Sequence, residues 1–203
     1  MEEEQLLLKQ GYRVVAGLDE VGRGALAGPV VAAAVVFPLG RDLPWTERVR
    51  DSKQLLAGER EVLSGLILEH VVAVGVGIVP PEDIDGRGIL KATWLAMQRA
   101  VEQLPLAPQF LLVDGRMVPS FSLPQKAVVA GDRLCVSISC ASIVAKVARD
   151  RMMVELDGQY PGYGLARHKG YGTKEHVACL GTLGASPIHR HSFAPVRRLL
   201  GLL

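Results

Sequence analysis

The chain has 203 residues, of which 49% are hydrophobic and 22% charged, and its formal net charge is +2. These values are ordinary for a globular protein with one large domain, or one domain with a small appendage, and so small a charge does not by itself indicate a nucleic-acid binder. The acidic N-terminus, the lack of an apolar run of roughly 20 residues and three cysteines without metal-type spacing argue against a secreted or membrane protein, so we expect a cytoplasmic one.

The first half of the chain is predicted to be rich in β-strands. Runs of Val, Ala and Ile with Gly or Pro at their borders predict strands at residues 14–18, 28–37 and 71–79. The segment 24–28 is short enough to join the first two strands as an antiparallel hairpin. A long polar surface loop at 38–56 and a helix at 59–69 are predicted before the third strand.

The second half predicts alternating helices and strands. Apolar periodicity predicts helices at 88–104, 141–156 and 173–183, and short apolar runs predict strands at 110–113 and 127–130. Antiparallel strands followed by this alternation indicate an α/β fold, a mixed sheet flanked by helices. We predict a core at 1–157 and a basic, helical C-terminal extension at 158–203, together forming one structural unit.

Carboxylates recur where three predicted strands end. Asp19 and Glu20 follow the first strand, Asp114 follows the strand at 110–113, and Asp132 follows the strand at 127–130. Because ligands gather at strand ends in open α/β sheets, we predict that these four side chains converge. Such a cluster needs divalent cations, and oxygen-only ligands favour magnesium or manganese over zinc. Taken singly, Asp114 and Asp132 are just as typical of a turn or a loop cap.

A cationic glycine turn, Gly22-Arg23-Gly24, directly follows the acid pair. Glycine lets the bare backbone approach a ligand closely, so acids and turn together would suit metal ions held against a phosphate. A solvated hairpin turn explains the same residues, since short motifs carry a high false-positive risk. After Pro161 there are six Lys or Arg residues and one acid, Glu175, which favours either a basic face toward an anion or a solvated helix.

A series of six motifs resembles that of bacterial ribonuclease HII. Each motif is weak alone, but six in order with sensible spacing cover the chain from about Gly17 to Val196. They are Asp-Glu-Val-Gly-Arg-Gly (19–24), Asp-Ser-Lys (51–53), Val-Asp-Gly (113–115), Ala-Ser-Ile-Val-Ala-Lys-Val (141–147), His-Lys-Gly-Tyr-Gly-Thr (168–173) and Ile-His-Arg-His-Ser-Phe (188–193).

The resemblance implies a ribonuclease H-like fold with a substrate-binding C-terminal extension, and an endonuclease that acts on RNA within duplex DNA. It implies that Asp19, Glu20, Asp114 and Asp132 are the catalytic, metal-binding carboxylates. Two Mg²⁺ or Mn²⁺ ions would be expected with the substrate, and hydrolysis would leave 3′-hydroxyl and 5′-phosphate ends. The expected partners are RNA/DNA hybrids and DNA with embedded ribonucleotides, without a membrane, and the protein is expected to be a monomer.

The resemblance also implies the substrate contacts. Gly22, Arg23 and Gly24 would place backbone groups on the 2′-hydroxyl at the cleavage junction. Tyr171 would pack on the sugar after the ribonucleotide and favour deoxyribose there, although the residue alone is as typical of core packing. Three basic residues are candidates for phosphate contacts, with a surface charge or salt bridge as the competing interpretation: Lys53, Lys146 and Arg190.

Two alternatives are weighed against this interpretation. Ribonuclease HIII shares the acid and glycine motif but usually carries an extra N-terminal domain, whereas here about sixteen residues precede the first motif. A catalytically silent hybrid-binding module would be expected to lack at least one of the four carboxylates, and all four are present. For the histidines at 168, 176, 189 and 191, backbone contacts or helix capping are favoured over a zinc site, because no acidic or cysteine partner stands at ligand spacing.

Overall fold

A five-stranded mixed sheet forms the centre of the protein in a computed structural model, which describes residues 2–41, 43–49, 55–117, 119 and 121–202. The strand order is β3-β2-β1-β4-β5. The strands are β1 (Val15–Val21), β2 (Val30–Val36), β3 (Ala73–Val79), β4 (Phe110–Asp114) and β5 (Gln125–Val128). This arrangement confirms the predicted α/β fold class.

The strand directions follow the predicted change from hairpins to crossovers. β1 pairs antiparallel with β2, and β2 pairs antiparallel with β3. β4 lies parallel to β1 on one side and to β5 on the other. The segment 24–28 therefore joins an antiparallel pair, as its short length predicted.

Helices cover both faces of the sheet. They are α1 (Glu2–Lys9), α2 (Ala57–His70), α3 (Pro81–Arg87), α4 (Ile89–Glu102), α5 (Gly131–Leu134), α6 (Val136–Gln159), α7 (Leu165–His168), α8 (Lys174–Leu183) and α9 (Ala194–Leu199), with a 3₁₀ helix at Pro44–Arg48. The sequence predicted α2, α4, α6 and α8 individually, and it did not predict α1, α3 or the short helices α5, α7 and α9. No helix in the described part of the chain is long and apolar enough to cross a membrane.

The alternating side chains of β1 divide the core in two. Ala16 and Leu18 pack in the cluster that includes α4, whereas Val15 packs with residues of α6. Gly17 lets α6 approach the sheet closely, because a Cβ atom there would lie 2.3 Å from the carbonyl carbon of Ser137. The start of α6 is thus fixed against the strand that carries the acid pair.

Helix α6 is longer than predicted and runs across the predicted boundary between 157 and 158. Its first turn, beginning at Val136, is buried because it lies against β1, which the sequence pattern of that turn did not reveal. The division into a core and an extension stays a prediction. Part of the predicted loop at 38–56 forms the 3₁₀ helix at Pro44–Arg48, where Trp45 is buried.

The predicted strand at 127–130 is wrong in its end. β5 stops at Val128, and Ala130 adopts a left-handed conformation with φ of 55°. An extended strand does not continue through that conformation, so the chain turns into α5 instead. Asp132 therefore lies in a helical turn and not at a strand end.

Candidate active site

A cavity of about 490 Å³ opens where β1 and β4 end. The lining includes the carboxylates of Asp19, Glu20 and Asp114 and the turn at residues 22–24. The remaining lining residues are Val21, Arg60, Ser142, Lys146 and Tyr171. The structure thus brings most of the predicted site residues to one opening.

The strand register explains why two distant acids meet. β1 and β4 are parallel neighbours, and Leu18 pairs with Val113 in their ladder. The next residue on each strand is an aspartate, so Asp19 and Asp114 lie side by side where the pairing of β1 with β4 ends. The sequence prediction of convergence at strand ends is realised for these two residues and for Glu20.

Burial and repulsion by neighbouring carboxylates disfavour the charged forms of Asp19 and Glu20. Asp19 is 5% exposed. Burial first, and then the charges of Glu20 and Asp114, raise the pKa of Asp19 well above its ordinary value, while a hydrogen bond from Ser142 acts in the opposite direction. Burial also raises the pKa of Glu20, although Arg23 opposes the shift through an ion pair of 3.1 Å. A cation bound among them would relieve this repulsion.

Asp132 is the one predicted acid that is not part of the cavity lining. It lies in α5 and is 3% exposed. Its carbonyl accepts a hydrogen bond of 2.7 Å from the Ser139 hydroxyl. The chain nevertheless connects it to the site, because the neighbouring Gly131 N–H donates to Asp114 Oδ1 at 2.7 Å.

The donor chemistry of the site fits a hard divalent cation. The acids at the cavity offer only oxygen atoms, which suit magnesium or manganese. Within the part of the chain that the structure describes, however, no three or more His, Cys, Asp or Glu side chains stand close enough together to hold a metal ion as they are. The cavity presents the right donor atoms in an open arrangement.

The two glycines of the cationic turn have different structural surroundings. Gly22 has φ of 89°, and a Cβ atom there would lie 2.1 Å from Nε of Arg149. Gly24 has an ordinary backbone conformation, and a Cβ atom there would meet nothing within 4 Å. Gly22 is therefore required by the fold, whereas Gly24 leaves the backbone open on the side of the cavity.

Arg149 is a residue at this site that the sequence analysis missed. It is fully buried in α6, and its guanidinium donates to the carbonyls of Pro29, Lys169 and Ala27 at 2.9–3.2 Å. It also lies 5.5 Å from the ring centroid of Tyr171. No sequence signal marked it, since an arginine in a mixed helix is usually exposed.

The structure corrects the interpretation of Arg190. Its side chain is fully buried, donates to the Gly28 carbonyl at 2.9 and 3.1 Å and to the Arg23 carbonyl at 3.0 Å, and stacks on Phe193. Burial and the charge of Arg149 lower the pKa of Arg190 to about 9, so it stays charged at neutral pH. A phosphate cannot reach this guanidinium, and its role is to hold the backbone of the glycine turn.

The other predicted substrate residues differ in position. Tyr171 is 36% exposed at the edge of the cavity and forms a β-bridge with Ala25. Lys146 is half-buried on the cavity wall, where it pairs with Asp150 at 2.6 Å, and burial lowers its pKa. Lys53 and the rest of its Asp-Ser-Lys motif lie outside the described residues. Arg60 lines the cavity without having been predicted.

Comparison with known proteins gives a consistent family assignment. The sequence model of the family described as Ribonuclease HII matches residues 16–196. A ribonuclease HII from Dehalococcoides mccartyi is 57% identical over 198 residues, covering 98% of this chain and 93% of the relative.

Solved structures show a similar fold. That of the ribonuclease H2 from Pyrococcus horikoshii is 28% identical with a TM-score of 0.75, covering 92% of this chain and 96% of that one. A Bst-RNase HIII structure has a TM-score of 0.67 at 20% identity, covering 93% of this chain and 70% of that one, a likeness of fold alone.

Proposed function

The chain belongs to the ribonuclease HII family, whose members are ribonuclease H endonucleases, and we propose that it hydrolyses the RNA strand of RNA/DNA hybrids and incises 5′ to single ribonucleotides embedded in duplex DNA. The observation that carries this proposal is the position of Asp19 and Asp114 at one strand edge, beside the turn at residues 22–24. The carboxylates supply the chemistry, and the turn supplies the means to recognise a ribose.

The proposed metal-binding residues are Asp19, Glu20, Asp114 and Asp132. The pKa values of Asp19 and Glu20, which are raised by burial, support this role, because carboxylates that disfavour their own charges gain most from a cation. The Bst-RNase HIII structure was solved in complex with Mn²⁺, which supports divalent metal dependence in related proteins. Two bound ions would activate water and stabilise the leaving oxygen.

The substrate would be held by the residues around the cavity. The backbone of Gly22, Arg23 and Gly24 would approach the 2′-hydroxyl, since Gly24 leaves open space where a side chain would otherwise stand. Tyr171 would pack on the following sugar. Lys146, which lines the cavity and pairs with Asp150, would contact a phosphate.

The reaction would proceed by attack of an external water on phosphorus, with departure of the 3′-oxygen of the preceding nucleotide. The products are then a 3′-hydroxyl and a 5′-phosphate. The 2′-hydroxyl identifies the substrate but does not act as the nucleophile. This division assigns ribose recognition to the turn and bond cleavage to the carboxylates.

The test is incision of a DNA duplex that carries one ribonucleotide, with Mg²⁺, Mn²⁺ or a chelator. We expect one cut on the 5′ side of the ribonucleotide, with the stated end groups, and none with the chelator. An identical duplex of DNA alone is the control and should stay intact. Cutting of that control would refute ribose recognition, and binding without incision would indicate the silent hybrid-binding module instead.

A further inference from the structure

Three histidines lie together behind Tyr171, and the proposed function does not use them. His176 is 0% exposed and His189 is 1% exposed. The His168 and His176 rings stack with their centroids 4.4 Å apart, and His176 Nε2 lies 3.1 Å from His189 Nε2. A cluster of buried, titratable side chains directly behind a proposed substrate-contacting residue requires an explanation.

The hydrogen bonds fix which nitrogen of His176 and His189 carries the proton. His176 Nδ1 lies 3.0 Å from the Tyr171 carbonyl, which only accepts, so Nδ1 is the donor. In a neutral ring Nε2 is then an acceptor, so His189 Nε2 must donate to it. His189 Nδ1 accepts in turn from the Ser186 N–H at 3.0 Å. We name this chain from Ser186 through His189 and His176 to Tyr171 the histidine relay.

His168 holds the same segment from a second direction. Its Nε2 lies 2.7 Å from the Tyr163 carbonyl, and its Nδ1 accepts from the Gly170 N–H at 3.2 Å. Between these contacts Lys169 has a left-handed conformation with φ of 52°. Such a conformation costs a non-glycine residue of order 1 kcal/mol and persists only where its surroundings determine it. Here the surroundings include the Leu165 carbonyl, which accepts from the Lys169 N–H, the Arg149 guanidinium, which donates to the Lys169 carbonyl, and His168, which accepts from the following Gly170 N–H.

The relay works only with neutral rings. A proton on His176 Nε2 would face the donor nitrogen of His189 and break the contact between them. Burial lowers the pKa of both rings, and the pKa of His189 falls to about 4. Both rings therefore stay neutral at physiological pH, in agreement with the hydrogen-bond geometry.

We propose that His176 and His189 are positioning residues that fix the backbone of Tyr171 and thereby set the preference for deoxyribose after the ribonucleotide. The inference rests on the proposed role of Tyr171 in substrate binding. Tyr171 is the exposed end of a buried chain: its carbonyl is bound by His176 and its ring stands at the cavity edge. Without the relay, the backbone at Tyr171 would no longer be held in place, and the Tyr171 ring would no longer contact the sugar in one fixed position.

A matched pair of amide variants tests the contact. His176→Asn keeps an amide N–H near the position of Nδ1, whereas His176→Gln carries the same group too far along the side chain to donate to Tyr171. The measurement is the ratio of kcat/KM for a single-ribonucleotide duplex to kcat/KM for an RNA/DNA hybrid. We expect His176→Gln to lower this ratio about fivefold, the effect of one hydrogen bond, and His176→Asn to leave it within about twofold of the wild type.

Tyr171→Ala is the reference variant that distinguishes failure of the relay's positioning role from failure of the proposed substrate contact of Tyr171. If Tyr171→Ala lowers the ratio and His176→Gln does not, the relay has no positioning role and the inference is overturned. If Tyr171→Ala itself leaves the ratio unchanged, the proposed role of Tyr171 fails, and the inference fails with it.

Nitrogen NMR of the wild-type histidines tests the relay without any substitution. We expect protons on Nδ1 of His176 and on Nε2 of both His168 and His189 at neutral pH. A proton on His176 Nε2, or a charged His176 ring, would contradict the relay. This measurement holds even if His176→Gln does not fold.

Discussion

Buried charged side chains lie on both sides of the turn at residues 22–24, and their surroundings differ. On the cavity side, burial raises the pKa of Asp19 and of Glu20, and the charge of Asp114 raises both further. On the inner side, Arg149 and Arg190 are completely buried, and each donates three hydrogen bonds to backbone carbonyls. The acids are arranged to receive a cation, whereas the arginines are arranged to hold the chain. Burial alone therefore does not distinguish a catalytic charge from a structural one, and the partners of the charge do.

The largest effect on activity should come from Asp19→Asn. We expect incision to fall by at least about a thousandfold, because the acid at the centre of the proposed metal site is gone. The folded protein without metal should be more stable than the wild type, since the raised pKa means that ionised Asp19 destabilises the fold at neutral pH. Single-turnover kinetics and urea unfolding measure the two effects. If Asp19→Asn were less stable than the wild type, ionised Asp19 would not destabilise the fold, and the proposed difference between the acids and the buried arginines would be refuted.

The largest effect on stability should come from Arg149→Met. It leaves the carbonyls of Pro29, Lys169 and Ala27 without their donor, which should cost about 3–5 kcal/mol. Arg151→Met is the matched control on the same helix, because Arg151 is exposed and pairs with Glu61 at the surface. Urea unfolding should show a large loss for the first variant and little change for the second. Equal losses would show that Arg149 has no special role.

The two glycines should separate stability from activity. Gly22→Ala meets Arg149 and a positive φ, so we expect it to cost about 2–3 kcal/mol of unfolding free energy and most of the activity. Gly24→Ala has room for its methyl group, so the unfolding temperature should not change. Its kcat/KM should fall about tenfold, because the added methyl group would keep the substrate away from the backbone of the turn. Full activity of Gly24→Ala would refute a close approach of the substrate at this residue.

The histidine relay should make the stability of the fold depend on pH. Unfolded histidines take up protons below about pH 6.5, whereas the pKa of folded His189 is lowered to about 4. The relay's contribution is therefore fully present above pH 6.5 and is lost as the pH falls toward 4, by up to about 1.4 kcal/mol per pH unit for each histidine. His189→Gln should reduce that slope in unfolding experiments between pH 4 and 6.5. An unchanged slope would mean that other groups cause it.

The meeting of Asp19 and Asp114 could be predicted from the sequence because it depends on a local rule. Each directly follows an apolar run, and parallel neighbours bring such positions to one edge, although β1 continues past Asp19 to Val21. The position of Asp132 could not be predicted, since it depends on the left-handed Ala130, which no residue-type preference indicates.

The roles of Arg149 and Arg190 could not be predicted from the sequence either, because they depend on contacts between residues that are far apart in the chain. Gly22 fits against Arg149, which lies far along the chain, and Arg190 binds carbonyls of the loop that follows β1. In a sequence both arginines resemble surface residues. The phosphate contact predicted for Arg190 followed from the expectation that this residue is exposed. The structure shows that Arg190 is buried.

The most direct test of the central claim is thermal unfolding with and without Mn²⁺, for the wild type and for Asp19→Asn. If the acids that destabilise the fold are the ones that bind the ion, Mn²⁺ should raise the unfolding temperature of the wild type. Asp19→Asn should start from a higher temperature without metal and gain little from Mn²⁺. Equal gains in the two proteins would contradict the account, because the ion would then bind elsewhere.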